Sequence, residues 1–287
     1  MIICSPWTRG GFVDSNSYDH TSMLRFLETW TGVKAPNITD WRRSLTGDLT
    51  AAFDFTRPDF SIPALPDTVP LITQSDAEKS FPAVTPPAEG AQAMPAQEPG
   101  RRVHRPSQFM PHADVTINRS AYTVTATLSN KGTVGVSLMV FPDKYLPASA
   151  TPFTVVKGKD KTYTWTASLA DKYGYAFSIY GPDGFVRSFA GDIVAAGTTT
   201  GQIPRVAATP VTGHARSLRL TLANDGTTAV AYTLTVNDYA GRTQTVTVGA
   251  KGSKSVTWPV DADGYYDVII TANTSDGFTR RYAGRIA

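Results

Sequence analysis

The second half of the chain repeats itself. Asn130-Lys131-Gly132-Thr133 returns as Asn224-Asp225-Gly226-Thr227, Tyr145 as Tyr239, and Lys157-Gly158 as Lys251-Gly252, all at an offset of 94 residues. Beyond that turn the offset is 93: Thr164-Trp165 matches Thr257-Trp258, Asp183-Gly184-Phe185 matches Asp276-Gly277-Phe278, and Arg187 matches Arg280. The one-residue deletion falls in a Lys/Gly-rich turn, because a slip inside a strand would turn its core face outward. Within each copy the pattern has period two. Val124, Ala126 and Leu128 alternate with Thr125 and Thr127, and Leu218, Leu220 and Leu222 do the same in the second copy. Val134, Val136, Leu138 and Val140 follow, answered by Val230, Tyr232 and Leu234. About six or seven such segments in roughly 90 residues leave no room for helices and predict a small β-sandwich. Two copies are too few for a solenoid or propeller. Residues 113–195 and 205–287 are therefore read as two tandem immunoglobulin-like β-sandwiches. Trp165 and Trp258 are expected in their cores, and the two Asp-Gly pairs at hairpin turns.

The rest of the chain has a different character. From Thr56 to Pro111 it holds 11 of the 20 prolines, which removes amide donors and disfavours helix interiors and central strands. Residues 56–112 are expected to form a Pro-rich extended arm, partly docked through Leu65, Leu71, Ile72 and Phe81. Residues 1–55 read as helix and loop. Met23, Leu24, Phe26, Leu27 and Trp30 share one face of a helix over Thr21–Trp30, with Gly32 as its stop. A second short helix is predicted after Thr39-Asp40, running through Trp41-Arg42-Arg43 and ending before Gly47.

Charge excludes some functions. The net +3 divides into −1 for residues 1–55, −1 for 56–112 and +5 for 113–287, which is far from the clustered basic stripe of a nucleic-acid binder. Lys157, Lys159 and Lys161 do crowd one turn, and Lys251 and Lys254 its twin. Such turns either meet an anionic membrane surface or are solvated tips that block edge aggregation. A single cysteine, Cys4, excludes an internal disulfide, and the four histidines are too scattered for a His-rich metal site. No apolar run approaches the ~18 residues of a spanning helix, and the N-terminus does not read as a signal peptide. Met1-Ile2-Ile3 reads instead as the end of a strand.

Chemistry concentrates near the start. Ser5-Pro6-Trp7-Thr8-Arg9-Gly10-Gly11 is a glycine-ended loop carrying an aromatic and a cation, and Tyr18-Asp19-His20-Thr21-Ser22 opens the first helix. Exposed amides at a helix start favour anions, so a His beside an Asp there fits a phosphate or metal neighbour; a capping Asp with a hydrogen-bonded His is the commoner arrangement. Nucleophile-elbow, zincin, P-loop and dinucleotide-binding signatures are absent from the sequence.

Four segments together resemble a known family: residues 5–11, Asp19-His-Thr-Ser-Met-Leu-Arg-Phe-Leu-Glu28, Pro36-Asn-Ile-Thr-Asp-Trp-Arg-Arg43 and Gly47-Asp-Leu-Thr-Ala-Ala-Phe-Asp-Phe55. They look like the C-terminal part of the catalytic domain of bacterial phosphocholine-preferring phospholipases C, in a phosphoesterase group that includes certain acid phosphatases. Leu65-Pro66-Asp67-Thr68 and Gln97-Glu98-Pro99-Gly100-Arg101 are similar too. The resemblance implies a mainly β chain, with residues 1–55 a helical remnant of an α/β phosphoesterase domain ahead of the two sandwiches. It implies hydrolysis of phosphatidylcholine or sphingomyelin-type phosphodiesters, a phospholipid or membrane-surface partner, and a secreted or periplasmic location. His20 and Asp19 are its candidate catalytic residues, and Trp7 and Arg9 its candidate substrate-binding residues. The family's acidic-Asn metal-site motif, nucleophilic hydroxyl and Asp-Glu motif have no counterpart here, so no metal ligand is assigned and any cofactor is unknown. The chain is expected to be inactive alone, to need an N-terminal catalytic region, and to expose Ile2, Ile3, Leu24, Phe26, Leu27 and Trp30. A non-catalytic pair of β-sandwiches and a phosphatase-like relative are the alternative readings.

Overall fold

The structure is a computed structural model that describes residues 1–93, 103–145, 149–193 and 201–286. The family-like stretch 97–101 and the boundary placed at residue 195 lie outside these residues. Contacts divide the chain into two compact units, Met1–Val13 with Ala52–His104, and Asp14–Ala51 with Arg105–Ala287.

The second unit contains the β structure. Strands β1 (Pro111–Asn118), β2 (Thr123–Asn130) and β5 (Asp160–Thr166) form a three-stranded sheet. Strands β3 (Val136–Lys144), β4 (Thr151–Val155), β6 (Gly174–Tyr180) and β7 (Val186–Asp192) lie in the order β7-β6-β3-β4. The same plan follows with β8 (Pro204–Val211), β9 (Ser217–Asn224) and β12 (Ser253–Pro259) as a second three-stranded sheet. Its opposite layer holds β10 (Val230–Tyr239), β11 (Gln244–Val248), β13 (Tyr265–Ala272) and β14 (Thr279–Arg285) in the order β14-β13-β10-β11. Strands β7 and β14 pair antiparallel, so the two four-stranded layers are one eight-stranded sheet. The register pairs Tyr282 with Arg187, Arg281 with Ser188 and Arg280 with Phe189. Ser188 and Arg281 are themselves equivalents at offset 93, so the halves meet about a local two-fold axis.

The alternation read from the sequence places the core. Val124, Ala126, Leu128 and Trp165 of the smaller sheet join Val136, Leu138, Val140, Phe177 and Phe189 of the larger one in a single cluster that continues into the second half. Trp165 meets Phe177 edge-on at 4.0 Å between ring centroids, and Trp258 is fully buried. Asp183 and Gly184, at φ +58° and +73°, turn the β6–β7 hairpin; a residue without Cβ suits the second of those positions.

What the sequence did not disclose is the polar content of the junction. Arg187 is fully buried, donating from Nη1 to the Ala283 carbonyl at 2.6 Å and from Nη2 to the Tyr266 hydroxyl at 2.9 Å. Arg280 answers from the other half, to the Ala190 carbonyl and the Tyr175 hydroxyl, both at 2.7 Å. Each guanidinium lies over a phenylalanine of its own half, Arg187 at 4.3 Å from the Phe185 centroid and Arg280 at 4.1 Å from that of Phe278. Aromatic faces attract a cation most where water is excluded.

Helix α1 (Thr21–Thr31) ends at Gly32, whose φ of +76° gives the left-handed cap that only glycine adopts freely. Helix α2 (Asp40–Leu45) starts where Thr39 Oγ1 accepts from the Arg42 amide. The Pro-rich segment departs from its reading. It forms a helix, α3 (Val69–Glu78), because Pro70 falls in the first turn, where a missing amide costs nothing. Its expected anchors do not anchor: Leu65, Leu71, Ile72 and Phe81 are 60–80% exposed. Ile2, Leu24, Leu27 and Trp30 are exposed as expected, whereas Ile3 and Phe26 are half-buried.

Trp258→Ala should lower the unfolding free energy by about 3–5 kcal/mol, read from urea denaturation, through the cavity left by the ring. Arg187→Ala should cost about 3 kcal/mol, because it strips a buried carbonyl and hydroxyl of their donor. Combining it with Arg280→Ala should cost less than the sum of the single changes; strict additivity would mean that the two arginines act independently.

Candidate functional site

In the second unit, Asp19 and His20 sit at the entrance to α1. Asp19 Oδ1 accepts from the Thr21 amide at 2.8 Å and from Thr21 Oγ1 at 2.6 Å, while its own amide donates to Ser22 Oγ. Its other oxygen takes a charge-assisted bond from Arg42 of α2. Burial works against the Asp19 carboxylate, but the Thr21 and Arg42 donors outweigh it and hold its pKa below the usual range. His20 occupies the position just before the helix, is exposed, and makes no capping hydrogen bond. The two residues are neighbours in sequence but not a hydrogen-bonded pair. Asp19 is tied to Thr21 and to Arg42 of the helix hairpin, and the imidazole of His20 lies exposed.

The hairpin is braced by arginines. Arg43 clamps Glu28 bidentately at 2.6 and 2.8 Å and also donates to the Ala35 and Ile38 carbonyls. Arg25 donates to the Thr46 carbonyl. The Arg43 bonds pull the Glu28 pKa down to about 2. Sequence reading passed over Glu28, Arg42 and Arg43 as functional supports; a Glu facing an Arg-Arg pair across a short connection was the available signal.

Trp7 and Arg9 belong to the first unit. The Trp7 ring packs against Phe55 and Phe60, with centroids 6.0 and 5.9 Å away, and its carbonyl accepts from the Asp54 amide. Arg9 reaches Asp59 at 2.9 Å and bonds the carbonyl and hydroxyl of Ser61. Hydrogen bonds from Ser61, then the Arg9 charge, keep the Asp59 carboxyl below its ordinary pKa. The structure thus groups Trp7 with Arg9, and Asp19 with His20, in separate units. Among the described residues no group of three or more His, Cys, Asp or Glu side chains is placed to hold a metal ion. No helix among them is long and apolar enough to cross a membrane.

Residues 1–34 match the Phosphoesterase family, and residues 103–192 and 205–285 match "Bacterial phospholipase C, C-terminal domain". The chain belongs to the bacterial phospholipase C family. It is 33% identical over 292 residues to the non-hemolytic phospholipase C of Burkholderia pseudomallei, covering 100% of this chain and 41% of that protein. Over 296 residues it is 33% identical to the non-hemolytic phospholipase C of Pseudomonas aeruginosa, again covering 100% of this chain and 41% of the relative. The hemolytic phospholipase C of the same species is 30% identical over 316 residues, covering 42% of its length. The chain therefore spans about two-fifths of the length of the curated relatives it matches.

Glu28→Gln should loosen the α1–α2 hairpin, seen as faster hydrogen exchange of α1 amides at neutral pH. A carboxylate with a depressed folded pKa contributes fully above its unfolded value and loses that contribution as pH falls. The difference between variant and parent should therefore hold above about pH 5 and close between about 4.5 and 2. A difference that did not change across that window would show that the ion pair is not what holds the helices.

Proposed function

We propose that this chain supplies the C-terminal part of a phospholipase C that hydrolyses phosphatidylcholine or sphingomyelin-type phosphodiesters and releases phosphocholine. The observation that carries this reading is the order of the matches on one chain, phosphoesterase sequence at 1–34 and the phospholipase C C-terminal domain after it. Phosphodiester cleavage needs an activated nucleophile, cations or donors at the phosphoryl oxygens, and a proton for the leaving oxygen. His20, exposed beside the α1 amides, serves proton transfer or charge stabilisation. Asp19 acts as a positioning residue through Thr21 and Arg42. Trp7, backed by Phe55 and Phe60, offers an aromatic face suited to a quaternary ammonium, and Arg9 shapes the same loop. The nucleophile belongs to sequence outside this chain, so the chain acts with an N-terminal catalytic region, at a secreted or periplasmic location. The two halves of the β unit are duplicated immunoglobulin-like modules in this reading, with three- and four-stranded layers supporting contact with the lipid surface.

A hybrid tests the reading. The 287-residue chain replaces the matching C-terminal region of the Pseudomonas aeruginosa non-hemolytic enzyme, and phosphocholine release is measured with both lipids. The hybrid should turn over phosphatidylcholine, the isolated chain should not, and His20→Ala should lower kcat of the hybrid at least ~10²-fold. Unchanged specific activity with lower stability would reduce His20 to a helix brace. A folded hybrid that releases phosphocholine from neither lipid would overturn the proposal.

A further inference from the structure

One end of the first sandwich carries a concentration of charge that the chemistry above leaves unused. Asn130, almost fully buried, ties two turns together there: its side chain donates to the Val134 and Val155 carbonyls, and its backbone bonds Gly158 and Lys159. That clasp brings Lys131, on the β2–β3 turn, beside Lys157 and Lys159 on the β4–β5 turn and Lys161 at the start of β5. All four lysines are exposed, and none makes a side-chain hydrogen bond or ion pair among the described residues. Helix α2 lies against the same end, through the Gly135 amide on the Ser44 carbonyl and Trp41 Nε1 on Thr154 Oγ1 at 3.4 Å. Trp41 and Val156 are exposed there, with Asp160 and Asp40 as the nearby carboxylates.

The second half lacks this character at the equivalent end. Asn224 makes the same clasp, but the position of Lys131 is taken by Asp225, an inversion of charge. Asp225 pairs with Arg205 at 3.0 Å, its carbonyl accepts from Lys251 Nζ at 2.6 Å, and Lys159, whose carbonyl accepts from the Asn130 amide, is answered by Gly252, whose carbonyl accepts from the Asn224 amide. One scaffold therefore carries an end whose four lysines are unpaired among the described residues, beside an exposed tryptophan, and a less cationic end where a carboxylate replaces one lysine and takes an ion pair. A solvated tip that merely prevents aggregation needs no such difference.

We propose that the Lys131/Lys157/Lys159/Lys161 end of the first sandwich is the face that seats the protein on a bilayer containing anionic phospholipid. Lysines near an anionic leaflet each add binding free energy that salt screens within a Debye length, whereas an exposed tryptophan favours the headgroup level and is insensitive to salt. The seat is useful for the reaction because α2, which forms part of it, also carries Arg42, the partner of Asp19 beside His20. The inference rests on the phospholipase reading for its purpose, but its readout is binding and needs no turnover.

The full chain is sedimented with vesicles of phosphatidylcholine alone and of an equimolar mixture with phosphatidylglycerol, over a range of salt. Binding should require the anionic lipid and fall steeply with salt. The combined variant Lys131→Gln, Lys157→Gln, Lys159→Gln should bind ~10²-fold more weakly, about five-fold per lysine. Lys251→Gln with Lys254→Gln should change binding less than ~2-fold, with matching unfolding midpoints showing that both variants are folded. Trp41→Ala should weaken binding at high and low salt alike. Absence of vesicle binding at low salt, equal loss in the two lysine variants, or equally tight binding to duplex DNA would each overturn the proposal. Vesicle binding with these properties beside an inactive hybrid would leave the bilayer seat standing and the phosphodiesterase reading fallen.

Discussion

Two guanidinium groups cross in opposite directions over the β7–β14 pairing, and the continuity of the large sheet depends on them. A buried cation is tolerated only where its donors are spent and a favourable field replaces water. Arg187 and Arg280 spend their terminal nitrogens on a backbone carbonyl and a tyrosine hydroxyl from the opposite half, with aromatic faces beneath, and the buried Arg187 Nε, which has no hydrogen-bond partner among the described residues, is the exception. A shift of the register by one residue would aim both groups at the solvent face and leave those acceptors dry. The junction thus selects one alignment of the halves by chemistry and not by apolar area alone.

The repeat was legible because its matches include the residues that fold it: alternating valines and leucines, the two tryptophans, and the Asp-Gly turn at 183–184. The limits of α1 and α2 followed from periodicity, Gly32 and Thr39, all local signals. The edge-to-edge joining of the halves did not follow. Arg187 and Arg280 match at offset 93 and alternate with Phe185, Phe189, Phe278 and Tyr282 on one face of their strands, but the acceptors that let a guanidinium occupy that face come from the other half of the chain and leave no mark in the local sequence. The Pro-rich segment misled for a related reason. Proline density bears on helix interiors, but a single Pro in a first turn is compatible with helix, and exposure of Leu65 and Phe81 is a tertiary property.

The candidate site shows the same division. The motifs around Trp7, Arg9, Asp19 and His20 could be picked out from residue types, but the roles of these residues depend on partners far along the chain. Asp19 is spoken for by Arg42, and Arg9 by Asp59 and Ser61, so their charges organise loops. Among the described residues, His20 is exposed and makes no side-chain capping bond. Its neighbours supply rigidity through Arg25, Arg42 and Arg43, three cations spent on holding a two-helix hairpin in place.

The two-fold register at β7–β14 has a consequence for assembly. An interface in which each half presents the same edge to the other is closed, and it has no means of distinguishing a half of its own chain from that of a neighbour. What distinguishes them is tethering: the short connection between β7 and β8 keeps the local concentration of the correct partner far above that of any competitor. Lengthening or cutting that connection would remove the advantage without touching a single contact. Reciprocal exchange of halves between two molecules would then satisfy the same arginines, hydroxyls and backbone amides as the single chain does.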